Sequence, residues 1–147
     1  MKMVVFWFFS TFLSHACASK VTVHFLYEGG CVRGYDTVSK RWVYLQVDHF
    51  PEYLGYEDIG GYIITRLRSY SKSELIPVRG TLKVGFIVER DGSISYPRII
   101  GRKDVELTPM ERDILCIIAS MPKWKPARCK GRKVAFLMQI LVHINYR

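Results

Sequence analysis

The feature that most restricts how this chain can fold is the stretch Ser120–Val134, SMPKWKPARCKGRKV, which separates an apolar helical pattern from an apolar strand pattern. Trp124 sits between Lys123 and Lys125, and those between Pro122 and Pro126. Pro122 has no N–H and a fixed φ, so it ends the helix that reaches Met121, and Pro126 stiffens the exit. The chain must turn here with few alternatives. Trp124 is therefore expected to fold back as a plug between helix and sheet, with Lys123 and Lys125 pointing outward.

The flanking elements follow from periodicity. In LTPMERDILCIIASMP, Thr108 is a good N-cap, Pro109 suits the first helical position and Glu111 completes a capping box. Met110, Ile114, Ile117, Ile118 and Met121 form its buried stripe, and Cys116 reads as a small buried hydrophobe within it. KVAFLMQILVHINYR is apolar on both faces for most of its length, a central or doubly covered strand whose wetter face carries Gln139, His143 and Asn145. GTLKVGFIVERDGSISYPRIIG reads as a β-hairpin. Leu82, Val84, Phe86 and Val88 share one face, Asp91-Gly92 suits a primed turn, and Pro97 marks the return strand as irregular or an edge. Ile59, Tyr62, Ile63, Leu67 and Tyr70 recur at helical spacing, although Gly60 and Gly61 each weaken that helix by about 1 kcal/mol relative to alanine. SKVTVHFLYE and KRWVYLQVD read as strands joined by a loop or wide turn, GGCVRGYD. Helix, strand, strand, helix, strand points to an α+β fold: an antiparallel sheet of three strands, or slightly more, with two helices packed on one face.

The first residues bear on compartment. Lys2, an apolar run from Met3 to Leu13 and the small-residue pattern Ala16-Cys17-Ala18 predict a signal peptide over 1–18. The run is well short of the ~20 residues that span a bilayer. A short retained anchor, a lipid on Cys17 and a buried N-terminal strand or helix of a cytosolic protein are the other readings. Residues 19–48 then form a strand-rich extension and 49–147 the main domain. Removal of 1–18 leaves Cys31, Cys116 and Cys129, so at least one thiol is free or bonded between molecules. Cys31 with Cys129 is a candidate disulfide that sequence does not decide.

The net charge is +9, and seven basic residues but no acidic ones follow Ile114. Such a balance favours acidic partners, an anionic membrane surface or nucleic acid. No recognised nucleic-acid motif is present, and nucleic-acid binding ranks as the second alternative. His24, His49 and His143 have no metal-ligand spacing, no paired-carboxylate, G-x-S-x-G or H-E-x-x-H pattern occurs, and Gly29, Gly30 and Gly34 do not make a phosphate loop. The expectation is a protein that is not an enzyme and uses no cofactor or metal.

The ordered set FPEYLG, an amphipathic helix, RGTLKVGFIVERDGSI, a capped helix ending in Met121-Pro122-Lys123-Trp124-Lys125-Pro126, and a long terminal strand resembles the TonB C-terminal domain over about Phe50–Arg147. The resemblance implies a periplasmic or envelope-anchored protein of a Gram-negative bacterium. Its implied partner is an outer-membrane TonB-dependent receptor, in energy-coupled nutrient or siderophore transport. It also implies that an extended receptor segment joins the sheet beside the terminal strand. On this sequence the binding strand is Lys133, Val134, Ala135, Phe136, Leu137, Met138, Gln139 and Ile140, continuing toward His143, with a basic flank of Arg128, Lys130, Arg132 and Lys133 that attracts an acidic segment. Met121, Pro122, Trp124, Pro126, Asp91, Gly92, Thr108 and Glu111 are structural.

The chain departs from a full transducer. About 31 residues separate Ala18 from Phe50, at most about 110 Å fully straight, and they read as strands rather than as a periplasm-spanning linker. The first alternative is thus a stand-alone envelope interaction or dimerisation module without energy transduction, acting on itself or beside a full-length transducer. Its membrane contact, if any, runs through a lipid or N-terminal anchor.

Overall fold

A computed structural model describes residues 25–70 and 79–145 of the chain. The expected signal peptide over 1–18 and the start of the first strand lie outside the described residues. In chain order the elements are β1 (Phe25–Glu28), β2 (Cys31–Asp36), β3 (Arg41–Gln46), α1 (Ile59–Tyr70), β4 (Arg79–Val88), β5 (Ile94–Ile99), α2 (Pro109–Ala119), β6 (Ala127–Cys129), β7 (Arg132–Val134) and β8 (Phe136–Asn145).

The class is α+β, but the sheet is not the expected antiparallel three-stranded one. It is a mixed six-stranded sheet in the order β1-β2-β3-β8-β4-β5, beside a two-stranded β6-β7 hairpin. Its C-terminal half, β8-β4-β5, is antiparallel. The N-terminal meander β1-β2-β3 adds to the other flank of β8, where β3 pairs in parallel at Tyr44↔Phe136. That junction joins residues far apart in sequence, so no local pattern could announce it.

Among the described residues two apolar clusters form. In the larger, Val84, Phe86 and Val88 of β4 and Val142 and Ile144 of β8 meet Tyr62, Ile63 and Leu67 of α1 and Ile114, Ile117 and Ile118 of α2. Each fully buried side chain of this kind stabilises by roughly 1.5–3 kcal/mol. The spacing of these positions was the sequence signal for both helices and the hairpin. Cys116 is the exception: its side chain is exposed. At about 100° per residue it is turned away from the stripe through Ile114, Ile117 and Ile118. The second cluster joins Cys31, Tyr44 and Val47 to Ala127, Cys129, Val134 and Phe136. A disulfide links Cys31 to Cys129, with their Cα atoms 6.3 Å apart.

Polar ties also bind the meander. Arg98 of β5 donates to Asp36 at 2.7 Å, and Arg41 pairs with Glu89. Burial alone would raise the Asp36 carboxyl, but hydrogen bonds from the Ser39 hydroxyl and N–H, with the Arg98 charge, outweigh it and hold the group below its ordinary value.

Three turns differ from expectation. The stretch GGCVRGYD is not a loop: only Gly29 (φ 51°) and Gly30 (φ 93°) turn, giving the two positive φ values of a type I′ hairpin, and Cys31 already pairs with Glu28. The second hairpin is not centred on Asp91-Gly92. Gly92 N–H donates to the Glu89 carbonyl at 2.9 Å, and Glu89 N–H to the Ser93 carbonyl at 2.8 Å. The turn is therefore centred on Arg90-Asp91, with Gly92 (φ 83°) as the left-handed bulge residue. Third, Lys130 (φ 49°) and Gly131 (φ 76°) make a type I′ turn that creates β6-β7. The expected terminal strand starts at Lys133, inside β7, and no hairpin is expected before it. Pro97 behaves as expected: β5 is an edge strand, and its register slips opposite Gly85–Ile87, where Tyr96 takes φ 50°.

Candidate functional site

The terminal strand is the first place to look, and the structure divides it. Lys133 and Val134 belong to β7 and pair with Arg128 and Ala127. Ala135 accepts a hydrogen bond from Tyr44 N–H at 2.9 Å, and Phe136 is the β3-paired residue. Lys133 through Phe136 are therefore already partnered within the chain and offer no free template, which removes the first half of the expected binding strand.

Beyond Phe136 the situation changes. After Gln46 the chain leaves β8 and runs against the segment that enters β6. His49 and Arg128 exchange main-chain hydrogen bonds at 3.2 and 2.9 Å, as do Glu52 and Lys125 at 3.1 and 2.9 Å. From Met138 to His143, no strand among the described residues pairs with β8 on the side away from β4. Main-chain groups alternate between the two flanks of a strand. Because Ala135 turns its carbonyl toward Tyr44, the N–H and C=O of Gln139, Leu141 and His143 point to this same flank.

The side chains alternate as well. Met138, Ile140, Val142 and Ile144 join the helix-covered core. Gln139, Leu141 and His143 lie exposed on the opposite face, Leu141 at 61%. The strand is thus central, between β3 and β4, and its exposed face is the wetter one expected from Gln139 and His143, with Leu141 as an apolar exception. His143 Nδ1 lies 2.9 Å from the Thr81 hydroxyl on β4.

The proline–tryptophan corner lies against the β4–β5 turn. Trp124 is 3% exposed and packs on Phe86 and Tyr53 with ring centroids 5.5 and 5.4 Å away. Its main-chain N–H donates to the Gly92 carbonyl at 2.8 Å. A Cβ on Gly92 would lie 2.0 Å from the Trp124 carbonyl oxygen, so this close approach requires glycine. Lys123 and Lys125 do point outward, and reach Asp91 at 3.3 Å and Glu52 at 3.0 Å. Met121 is buried beneath the corner, while Pro122 is exposed and Pro126 half-buried. The Thr108–Glu111 capping box forms as expected: Glu111 N–H donates to the Thr108 hydroxyl at 3.3 Å, and Thr108 N–H to the Glu111 carboxylate at 2.8 Å.

Asp91 tests the corner's electrostatics. The Ser93 hydroxyl first, then the Ser93 N–H and the Lys123 ammonium, lower its carboxyl from 3.8 to about 2. In the unfolded chain it titrates near 3.8, so its contribution to stability is fully present above that value and is lost as pH falls through about 2. In urea titrations the advantage of the wild type over Asp91→Ala should shrink steadily between about pH 4 and pH 2. An advantage that stays constant over that window would show the carboxylate is not held by these bonds.

The four cations of the expected basic flank are exposed: Arg128, Lys130, Arg132 and Lys133 all lie on β6-β7 or its turn. Lys130 N–H donates to Asp48 at 2.6 Å, and Arg128 reaches the Gly131 carbonyl at 2.9 Å. Sequence reasoning missed Arg33 and Arg90, which the fold brings beside Arg132 and Lys133; no spacing rule connects them. Among the described residues, Cys31, Asp48 and Cys129 bring ligand atoms within 4.8 Å of one another, but the disulfide takes up both sulfurs. Among the described residues no helix is long and apolar enough to cross a membrane. Comparison with known proteins finds no matching family model, no similar curated protein and no similar solved structure.

Proposed function

We propose that this protein is a protein-interaction module of the cell envelope that takes up an extended peptide by strand addition along the outer flank of β8. The reading follows the TonB C-terminal resemblance, with a segment of an outer-membrane receptor as the partner that resemblance implies. One observation carries it: the flank from Met138 to His143 has no strand partner among the described residues. An extended segment laid there completes main-chain hydrogen bonds, which give affinity, while alternate side chains read its sequence. Leu141 offers an apolar contact on one face of the added strand, and the exposed cations of β6-β7 speed encounter with an acidic segment. The docking stretch is shorter than the sequence suggested and shifted toward the C-terminus.

The test is site-directed cross-linking in the envelope. Leu141→Cys in a Cys116→Ser background should cross-link to the extended segment of an outer-membrane receptor, while a cysteine at Asp113 on the helix side should not. Recovery of cross-linked homodimers alone would replace receptor binding by self-association through the same flank, since open strand edges pair with one another.

A further inference from the structure

We propose that the cleft between the N-terminal meander and the β6-β7 hairpin binds a multivalent oxyanion of the phosphate type. The cleft has a volume of about 270 Å³, and Glu28, Arg33, Tyr44, Arg90, Arg132 and Lys133 line it. These residues come from β1, β2, β3, the β4–β5 turn and β7, so only the folded chain gathers them. Four cations face a single carboxylate, leaving three positive charges in excess.

The one carboxylate is already engaged. The Tyr44 hydroxyl donates to Glu28 at 3.1 Å and Arg33 donates to it at 3.4 Å. Arg33 is further held over the Tyr44 ring, 5.4 Å from its centroid. Its Nε is buried and has no hydrogen-bond partner. Arg90, Arg132 and Lys133 are exposed, and none forms an ion pair with a described residue. Like charges gathered at one cleft repel unless an anion relieves them. A lone carboxylate offsets one charge. A phosphate monoester carries about −1.5 to −2 and presents three acceptor oxygens, which suits several arginine forks at once. The inference does not rest on the β8 flank, and either can fail without the other.

Two probes test it on the full-length protein. The first is calorimetric titration with inorganic pyrophosphate at constant ionic strength. The second is flotation with phosphatidylcholine vesicles carrying either phosphatidic acid, a phosphomonoester, or phosphatidylglycerol, a diester. Arg90→Ala/Arg132→Ala, two exposed positions, should weaken binding about tenfold or more. Glu28→Gln should tighten it, because the internal competitor loses its charge. Pyrophosphate binding with this pattern supports a soluble ligand. Selective binding to phosphatidic acid vesicles with the same pattern supports a lipid headgroup. Binding unchanged in the double variant overturns the proposal, as does failure of both probes.

Discussion

Trp124→Ala is expected to destabilise the domain by about 3–5 kcal/mol, the range for truncating a buried aromatic side chain. The indole is 3% exposed and lies against Phe86, itself fully buried on β4, and against Tyr53 from the segment before α1. Removing it leaves a cavity where the sheet, the corner and that segment meet. The indole Nε1 is buried without a hydrogen-bond partner, so its contribution comes from packing, with no polar bond to add to it. Trp124→Phe should therefore cost less than half as much: it keeps most of the ring contact and removes an unsatisfied donor. Urea unfolding read at the midpoint with unchanged slope measures both values. If Trp124→Ala unfolds like the wild type yet no longer cross-links at Leu141, Trp124 is a partner contact and the plug assignment is wrong.

What the sequence made legible, and what it did not, divides along the range of the interactions. α2 was readable from Thr108, Pro109, Glu111 and the Ile114–Ile118 stripe because caps and helical spacing act within a few residues. The Trp124 plug was readable because Pro122 and Pro126 leave the chain so few paths. The β6-β7 hairpin was missed although Lys130-Gly131 occupies the two centre positions of its turn. Its strands are only three residues each, too short to show alternation, and a non-glycine residue at positive φ is an uncommon choice there. β2 was mistaken for loop because Gly34 and Asp36 are weak strand formers; pairing with β1 and β3 overrides that preference. The parallel β3–β8 junction left no local trace. It is also the feature that most changed the candidate site, because it partners the strand through Phe136 and leaves the flank beyond. Cys116 was misplaced because apolar character was read without its angular position on the helix.

Replacing both Cys31 and Cys129 by alanine is expected to lower stability by about 2–4 kcal/mol. The cross-link closes a loop with a sequence separation of 98, and for loops near 100 residues the chain-entropy estimate is about 4.7 kcal/mol before native-state adjustments. Reductant should mimic the substitution in the wild type and leave the double variant unchanged. The loss should also be uneven. Beyond the disulfide and its surrounding cluster, the meander is fastened to the rest by the β3–β8 junction at Tyr44, the Arg98–Asp36 and Arg41–Glu89 pairs, and the short antiparallel contacts at His49 and Glu52. Without the covalent tie, amides of β2 and β3 should exchange faster than those of α2 and β4, which report the larger core. Equal acceleration throughout would mean the meander opens only with the whole domain. Faster exchange confined to the meander would extend to the site itself: as β3 leaves Phe136, the unpaired flank of β8 lengthens toward the basic hairpin, so the double alanine variant should give a higher yield of the Leu141 cross-link even as its stability falls.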